Sequence, residues 1–369
     1  MTRPDAIVVG AGAIGATCAY ELAVAGLRVT VIERAMPAAE ASGASAGILS
    51  VPGPSRRDPI ATLARRSREL YEPLAAALLE EAEIDVGLGR TGHLHLCMTE
   101  REARHARRAA ADPAERSEGL SFVDAEDLRR LEPAVTPAAL GALHLPRSSW
   151  VDNVRLVQGL VRAGERRGVR YVLGEPVEAL MRAGDRVIGV RARTLGVLEA
   201  GLVVLAAGAW SGAIEGAPAG LAVRPVKGQI LAFANAPPLV RHVLFRDDVY
   251  LVPRLSGECL FGATIEEGVA DRDVTLEGLG WLLGEAFRTA PGLAGLRFLR
   301  AWAGLRPATP DDLPVVGPWP GMPGLLVATG HYRNGILFTP VTASIIRDYA
   351  IEGRTSLPAE VLLPDRFAK

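Results

Sequence analysis

Cysteine is scarce in this chain. The 369 residues hold three, Cys18, Cys97 and Cys259, far apart and without the short spacing of a metal site. That usage excludes a disulfide framework and fits a reducing compartment. An excess of charge is missing too. The formal net charge is −1, so no basic field exists to recruit nucleic acid. Hydrophobic residues make up 49% of the chain, yet none of the apolar stretches reaches the roughly 18 uncharged residues a membrane span needs. The apolar start resembles a signal peptide, but Gly10, Gly12 and Gly15 interrupt it and no cleavage pattern follows. Internal repeats, low-complexity segments, a Ser/His/Asp set, zinc spacing and a phosphate-transfer lysine loop are all lacking. The expectation is a soluble, cytoplasmic protein with no metal, no nucleic-acid partner and no stable membrane insertion. Its length exceeds what one simple core serves, so two domains are expected.

What is present is concentrated at the start. Ala6-Ile7-Val8-Val9 is apolar throughout, as a strand buried on both faces should be. It runs into Gly10-Ala11-Gly12-Ala13-Ile14-Gly15, then a helix pattern to about Ala25 with Gly26 as cap, then a strand from Arg28 to Ile32 that stops at Glu33. This is the dinucleotide-binding fingerprint. Gly10 allows the tight turn, Gly12 lets backbone approach a pyrophosphate at the helix N-terminus, and Gly15 lets helix and strand pack closely. The Glu33 carboxylate suits a ribose 2′-hydroxyl and would repel a 2′-phosphate, which favours FAD or NAD over NADP. Only one such fingerprint occurs. Transfer of electrons from a nicotinamide to a flavin usually needs two, so FAD is the expected cofactor and the substrate the expected reductant.

The rest of the chain alternates helix and strand patterns. Leu63, Leu70, Leu74, Leu78 and Leu79 mark a helix over 59–83, with Arg65, Arg66 and Arg68 on its solvated face. Residues 91–98 alternate like a half-buried strand with His93 and His95 on one face, and 100–132 reads as charged surface helix. Val154–Arg167 is a helix pattern, followed by a strand near Tyr171–Leu173. Val203-Val204-Leu205 is a buried strand running into glycine, where small residues admit a ligand. Gly228–Phe233, Tyr250–Pro253 and Cys259–Gly262 read as antiparallel strands. Leu325–Ala328 leads through a Gly330 turn into a second helix whose N-terminus can face an anion or carbonyl oxygen. Val51 to Pro59 reads as a surface loop.

Six segments resemble the FAD-dependent D-amino-acid oxidase superfamily, and within it the glycine oxidase branch. They are the fingerprint, Ser45–Leu49, Pro225–Gly228, Tyr250–Arg254, Trp302–Pro307 and Gly330–Ile336. The resemblance covers nearly all of the chain and implies an α/β fold. A Rossmann-like FAD-binding domain (1–85, 148–220, 303–369) would be interleaved with a mostly antiparallel-sheet substrate domain (86–147, 221–302). By that resemblance Gly10, Gly12, Ala13, Ile14, Gly15, Glu33 and Arg34 hold adenosine and pyrophosphate. Ser42, Ala46, Gly47 and Ile48 line the flavin, Val177 meets the adenine, and Ala207, Gly208 and Trp210 lie on the returning strand. Gly330, His331, Arg333, Asn334, Gly335, Ile336 and Leu337 meet the isoalloxazine. The stretch Arg306–Pro310 lacks the cysteine that carries covalent flavin in related sarcosine oxidases, so FAD is expected to be noncovalent.

The resemblance also assigns the substrate end. Arg306 and Tyr250 match the pair that grips an amino-acid carboxylate, and Arg333 lies on the same side. A guanidinium fork binds a carboxylate bidentately and a phenol adds a third donor. Judged as residues alone, Arg306 can instead serve an ion pair with Asp311 or Asp312, Arg333 a cap or cofactor contact, and Tyr250 a plain strand position. Ser50, Asp248 and Ile265 border the expected pocket. Asp248 stands where the branch has histidine and Ile265 where it has methionine; the acid favours an amine-bearing substrate or faces solvent. The implied reaction is oxidative deamination of glycine, sarcosine or small D-amino acids by hydride transfer from Cα to flavin N5. It gives a 2-oxo acid (glyoxylate from glycine), ammonia and, with oxygen, hydrogen peroxide, as in thiamine thiazole synthesis. The alternatives are a D-proline-like dehydrogenase that uses a quinone or carrier, a flavin subunit of a larger complex, and an NAD-binding protein without flavin. Homo-oligomers are usual in that branch.

Overall fold

The computed structural model describes residues 3–51, 56 and 58–367. The apolar strand Ala6–Val9 lies at the heart of a six-stranded sheet. The strand order is Val315–Pro318, Leu325–Thr329, Leu202–Leu205, Ala6–Val9, Val29–Glu33 and Arg170–Leu173. Every neighbouring pair is parallel except the first, which is antiparallel. Its continuous apolar sequence follows from burial on both faces. Ala6 and Val8 join a core with the helices Ala13–Val24, Pro59–Ala82, Asn153–Arg166 and Gly335–Glu352. Ile7 and Val9 point the other way, into a core shared with the three-stranded sheet Val177–Ala183, Arg186–Ala192, Gly196–Glu199. The expected helices at 13–25, 59–83 and 154–167 thus stand, shifted by one residue or so at the ends.

The second block is a nine-stranded sheet. In order it contains Glu266–Glu267, Arg224–Ala234, Glu258–Gly262, Val249–Pro253, Val243–Arg246, His93–Leu96, Gly141–Leu145 and Ser121–Asp124, and Phe298–Ala308 pairs with Arg224–Ala234 along a second edge. All pairings are antiparallel except that of Val243–Arg246 with His93–Leu96. The helix Leu276–Thr289 covers one face, with Leu282 and Ala286 buried against Leu231, Leu251 and Phe261.

One reading changes, and one strand goes unread. The stretch 100–132 is not all helix: between Pro113–Ser117 and Ala125–Leu131 it holds the edge strand Ser121–Asp124, which exposes both ends and so has no apolar signature. The strand Phe298–Ala308 has no regular alternation of burial, and periodicity does not reveal it. Most of the loop expected over Val51–Pro59 lies outside the described residues, of which no helix is long and apolar enough to cross a membrane.

His93 and His95 share one strand face, as their spacing requires, and both rings meet Phe245, at 5.5 Å and 4.5 Å. Phe245 in turn meets Tyr250 edge-on at 6.2 Å. Burial pushes His93 down to about 3 and His95 down to about 4, so both are neutral in the folded chain. The unfolded chain protonates them below about 6.5, so stability falls as pH drops from there, the His95 contribution levelling off below about 4 and that of His93 below about 3. From pH 7 to 5 the loss from His95 alone is about 2 kcal/mol. Urea unfolding of wild type and His95→Gln at both pH values should show a shallower pH dependence in the variant by that amount.

Candidate active site

A cavity of about 400 Å³ opens beyond the C-terminal ends of the parallel strands and extends to the nine-stranded sheet. One end is built by the glycine turn. Gly10 has φ +103°, and a side chain there would stand 2.6 Å from the Ala206 carbonyl oxygen. Gly15 would meet the Gly10 carbonyl at 2.0 Å. These clashes hold the turn against the strand Leu202–Leu205 and leave Gly10, Gly12, Ala13 and Ile14 on the cavity wall. Glu33 is buried at the end of its strand. One carboxylate oxygen accepts from the Ala11 N–H at 2.7 Å and the other from Ala35 N–H at 2.9 Å. Each oxygen keeps a lone pair for a further donor. The Arg34 guanidinium lies 3.5 Å over the Trp210 ring and pairs with Glu40 at 2.5 Å. Val177, Ala207 and Gly208 complete this end.

The middle wall is the segment 41–48. Ser42 Oγ accepts from the Ala13 N–H at 2.9 Å. Asn153 donates to the Ser42 and Gly43 carbonyls at 2.6 and 3.1 Å, and Arg254 donates to the Ala46 carbonyl at 3.1 Å and to Asn153 Oδ1 at 2.8 Å. Trp302 Nε1 donates to the Ala44 carbonyl at 3.1 Å, and a side chain at Gly304 would stand 2.3 Å from Ala44 Cβ. Asn153 and Arg254 therefore shape the site without carrying a local signal. They lie 101 residues apart, and only the fold brings them together.

On the opposite wall, Gly335 and Ile336 begin the helix Gly335–Glu352, whose N-terminus has no side-chain cap. His331 is buried, and its Nε2 meets Thr342 Oγ1 at 2.9 Å. Burial pushes it down to about 3, so it is neutral and held inside the fold. Tyr71 donates from its hydroxyl to the Ile336 carbonyl.

At the far end stands Arg306, across from Val226 and reaching over Gly228. A methyl at Gly228 would come within 2.2 Å of its Nη2. The guanidinium donates to the Lys227 and Thr264 carbonyls, each at 3.2 Å. Among the described residues no carboxylate pairs with it. Asp311 is bound to Arg366 at 2.7 Å and Asp312 to Arg224 at 3.5 Å, so the neighbouring acids are engaged elsewhere. The Tyr250 hydroxyl lies over Gly262, where a Cβ would be 3.0 Å away. Burial pushes the Tyr250 hydroxyl above its ordinary value, and the nearby Arg306 and Arg333 cations hold back part of that rise. It is a protonated donor at neutral pH. Arg333 meets Asp248 at 3.2 Å on the cavity rim. Two glycines thus clear the space for the two donors, and sequence reading had singled out neither for this role.

Some expected residues stand outside the cavity lining. Gly15 serves helix–strand packing. Gly330 has φ +74° and turns tightly over Thr309. Leu337 is buried in the helix core, with its carbonyl accepting from Ser67 Oγ at 2.5 Å. Asn334 is exposed, Ile265 is 41% exposed and Ser50 is half-buried. The remaining expected residues line the one cavity. The three cysteines are buried outside it.

A glycine cradle with a buried acid at one end of the crevice and an uncapped helix N-terminus on the opposite wall fit a flavin dinucleotide, and define a flavin-dependent oxidoreductase. The comparisons agree. The chain is 36% identical to a glycine oxidase of Pseudomonas aeruginosa, over 93% of each chain. It is 32% identical to hydrogen cyanide synthase subunit HcnC of the same species, over 98% of this chain and 96% of that one. Its fold superposes on the crystal structure of glycine oxidase from Bacillus cereus with TM-score 0.91 at 28% identity, covering 98% and 99%. Residues 5–349 match the family described as FAD dependent oxidoreductase, and the chain belongs to it.

Replacement of Glu33 by alanine removes the acceptor and strands two N–H groups at the cradle. The FAD dissociation constant should rise about tenfold to a hundredfold, read by the fluorescence of released flavin.

Proposed function

We propose that the protein oxidises glycine and small D-configured amino acids to 2-oxo acids and ammonia, and small secondary amino acids to the corresponding imine, which on hydrolysis releases an amine in place of ammonia, with oxygen as electron acceptor. The observation that carries this reading is Arg306: a half-buried guanidinium in the cavity, held by backbone carbonyls beside a phenol and paired with no carboxylate among the described residues. Such a cation lacks a counter-anion until a carboxylate arrives. In this reading Arg306 takes the substrate carboxylate bidentately and Tyr250 donates to it. The surrounding wall of Ala46, Ile48, Ile230 and Ala263 excludes water.

FAD, when bound noncovalently, supplies the two-electron acceptor that takes hydride from the substrate Cα and delivers the electrons to oxygen as hydrogen peroxide. Gly10, Gly12, Ala13, Ile14, Glu33 and Arg34 would hold its adenosine and pyrophosphate. Ala46–Ile48 and the helix start at Gly335 would hold its ring, the helix end favouring negative charge there. The chain's own part is positional. His331, neutral and bonded to Thr342, supports a mechanism without a side-chain base. The amine must arrive neutral so that its lone pair assists hydride loss. The resulting imine hydrolyses in water. In this reading 1–85, 148–220 and 303–369 form the FAD-binding domain, and 86–147 and 221–302 the substrate domain.

Likeness to the hydrogen cyanide synthase subunit favours a second reading, a flavin subunit of a larger complex that passes electrons to a carrier. Turnover of glycine by the chain alone, with oxygen consumed, separates the two. Glycine, sarcosine, D-alanine and D-proline should bleach the flavin without oxygen. Arg306→Ala should raise KM for these substrates at least about a hundredfold, a loss of roughly 3 kcal/mol typical of a charge-assisted bidentate contact. Unchanged KM would remove Arg306 from the carboxylate site.

A further inference from the structure

Asp248 and Arg333 reach the rim of the cavity from different parts of the fold. Asp248 lies in the two-residue turn between Val243–Arg246 and Val249–Pro253, where Arg246 pairs with Val249 and Asp247 has φ +51°. It is two residues before Tyr250, and both line the cavity. Arg333 lies in the turn Tyr332–Asn334 after the strand Leu325–Thr329, and Tyr332 has φ +45°. One side chain thus comes from the nine-stranded sheet and the other from the turn that follows an inner strand of the six-stranded sheet. They meet at 3.2 Å, with side chains 72% and 43% exposed.

The charges around Tyr250 are Arg306, Arg333 and Arg254, with Asp248 on the same wall; Arg254 stands behind the wall, bonded to the Ala46 carbonyl and Asn153, so Arg306, Arg333 and Asp248 are the ones that face the cavity at this end. Asp247 turns to Arg246, which is paired with Glu285. The rim therefore carries two cations and one anion, an excess of one positive charge, which one carboxylate neutralises. With Asp248 on Arg333, a substrate bearing a second carboxylate meets a like charge and an engaged cation. An exposed pair of this kind contributes at most about 1 kcal/mol and is screened by salt. It acts as a selector and contributes little to stability, because electrostatic juxtaposition discriminates between ligands more strongly than it binds them.

We propose that Asp248 is a specificity determinant: by engaging Arg333 it restricts the pocket to monocarboxylate amines and turns away substrates with a second carboxylate. This rests on the carboxylate-amine reading above. The acid's role is to mask a cation, and recognition of a cationic substrate is not needed to account for it.

Sarcosine and iminodiacetate test the point, since they share the secondary amine and one carboxymethyl group and differ by one carboxylate. In the FAD-loaded enzyme, Asp248→Asn should raise the ratio of kcat/KM for iminodiacetate over sarcosine about tenfold. The double variant Asp248→Asn with Arg333→Gln should lose that rise. Calorimetric binding of malonate against acetate should move the same way, without turnover. A ratio unchanged within about twofold while both amines still bleach the flavin would overturn the selector alone. A selective loss of turnover of 2,3-diaminopropionate in Asp248→Asn would assign the acid to a substrate cation and also overturn it. Bleaching by none of these amines in either protein would overturn the carboxylate-amine reading together with it.

Discussion

A carbonyl oxygen stands where a side chain at Gly10 would have to be. The Ala206 carbonyl lies 2.6 Å from that point, and the Gly10 carbonyl crowds Gly15 in the same way. These contacts join the strands Ala6–Val9 and Leu202–Leu205 to the start of the helix Ala13–Val24, with no room for a methyl group. The crevice floor, the position of Glu33 and the exposed helix end follow from that closeness. Any residue larger than glycine would push the strand ends apart and widen the crevice at the glycine turn.

The opposite half of the cavity uses the same device for a different end. Gly228 and Gly262 lie on neighbouring strands, each under a polar side chain: Arg306 over one and Tyr250 over the other. The guanidinium is anchored by backbone carbonyls, which have fixed positions and no charge to be neutralised by titration. Its orientation is thereby settled before any ligand enters. Preorganised cations of this sort lose little freedom when an anion binds, and the anion gains what a flexible lysine would forfeit.

Local signals were legible and long-range ones were not. The fingerprint, the strand Val203–Leu205 and the turn into the helix Gly335–Glu352 each occupy a short run, and their glycines and apolar stretches announce them. Most residues expected at the cofactor end line the cavity for this reason. The edge strand Ser121–Asp124 was hidden because it is four residues long, with both end residues exposed and Phe122 and Val123 half-buried on opposite faces, so no alternation shows. The motif Trp302–Pro307 lies inside the strand Phe298–Ala308, which carries Gly304 and Pro307 and irregular burial, so nothing in its period says strand. Arg254 with Asn153 and Asp248 with Arg333 are partners across 101 and 85 residues, and no spacing rule reaches that far. Asp248 in particular read as either a substrate contact or a solvent-facing acid until Arg333 was found beside it.

The cavity wall draws on residues near 10, 33, 45, 177, 207, 250, 306 and 335. A chain emerging from the ribosome therefore has most of the first sheet's strands before it has the turn and helix that close the crevice. A chain that stops short of the helix Gly335–Glu352 lacks part of that wall. In such a chain the strand Ala6–Val9 also lacks the helix that covers its core. Cofactor supply in the cell then becomes a determinant of how much of this protein survives quality control, since a ligand that binds only the completed form draws the population towards it.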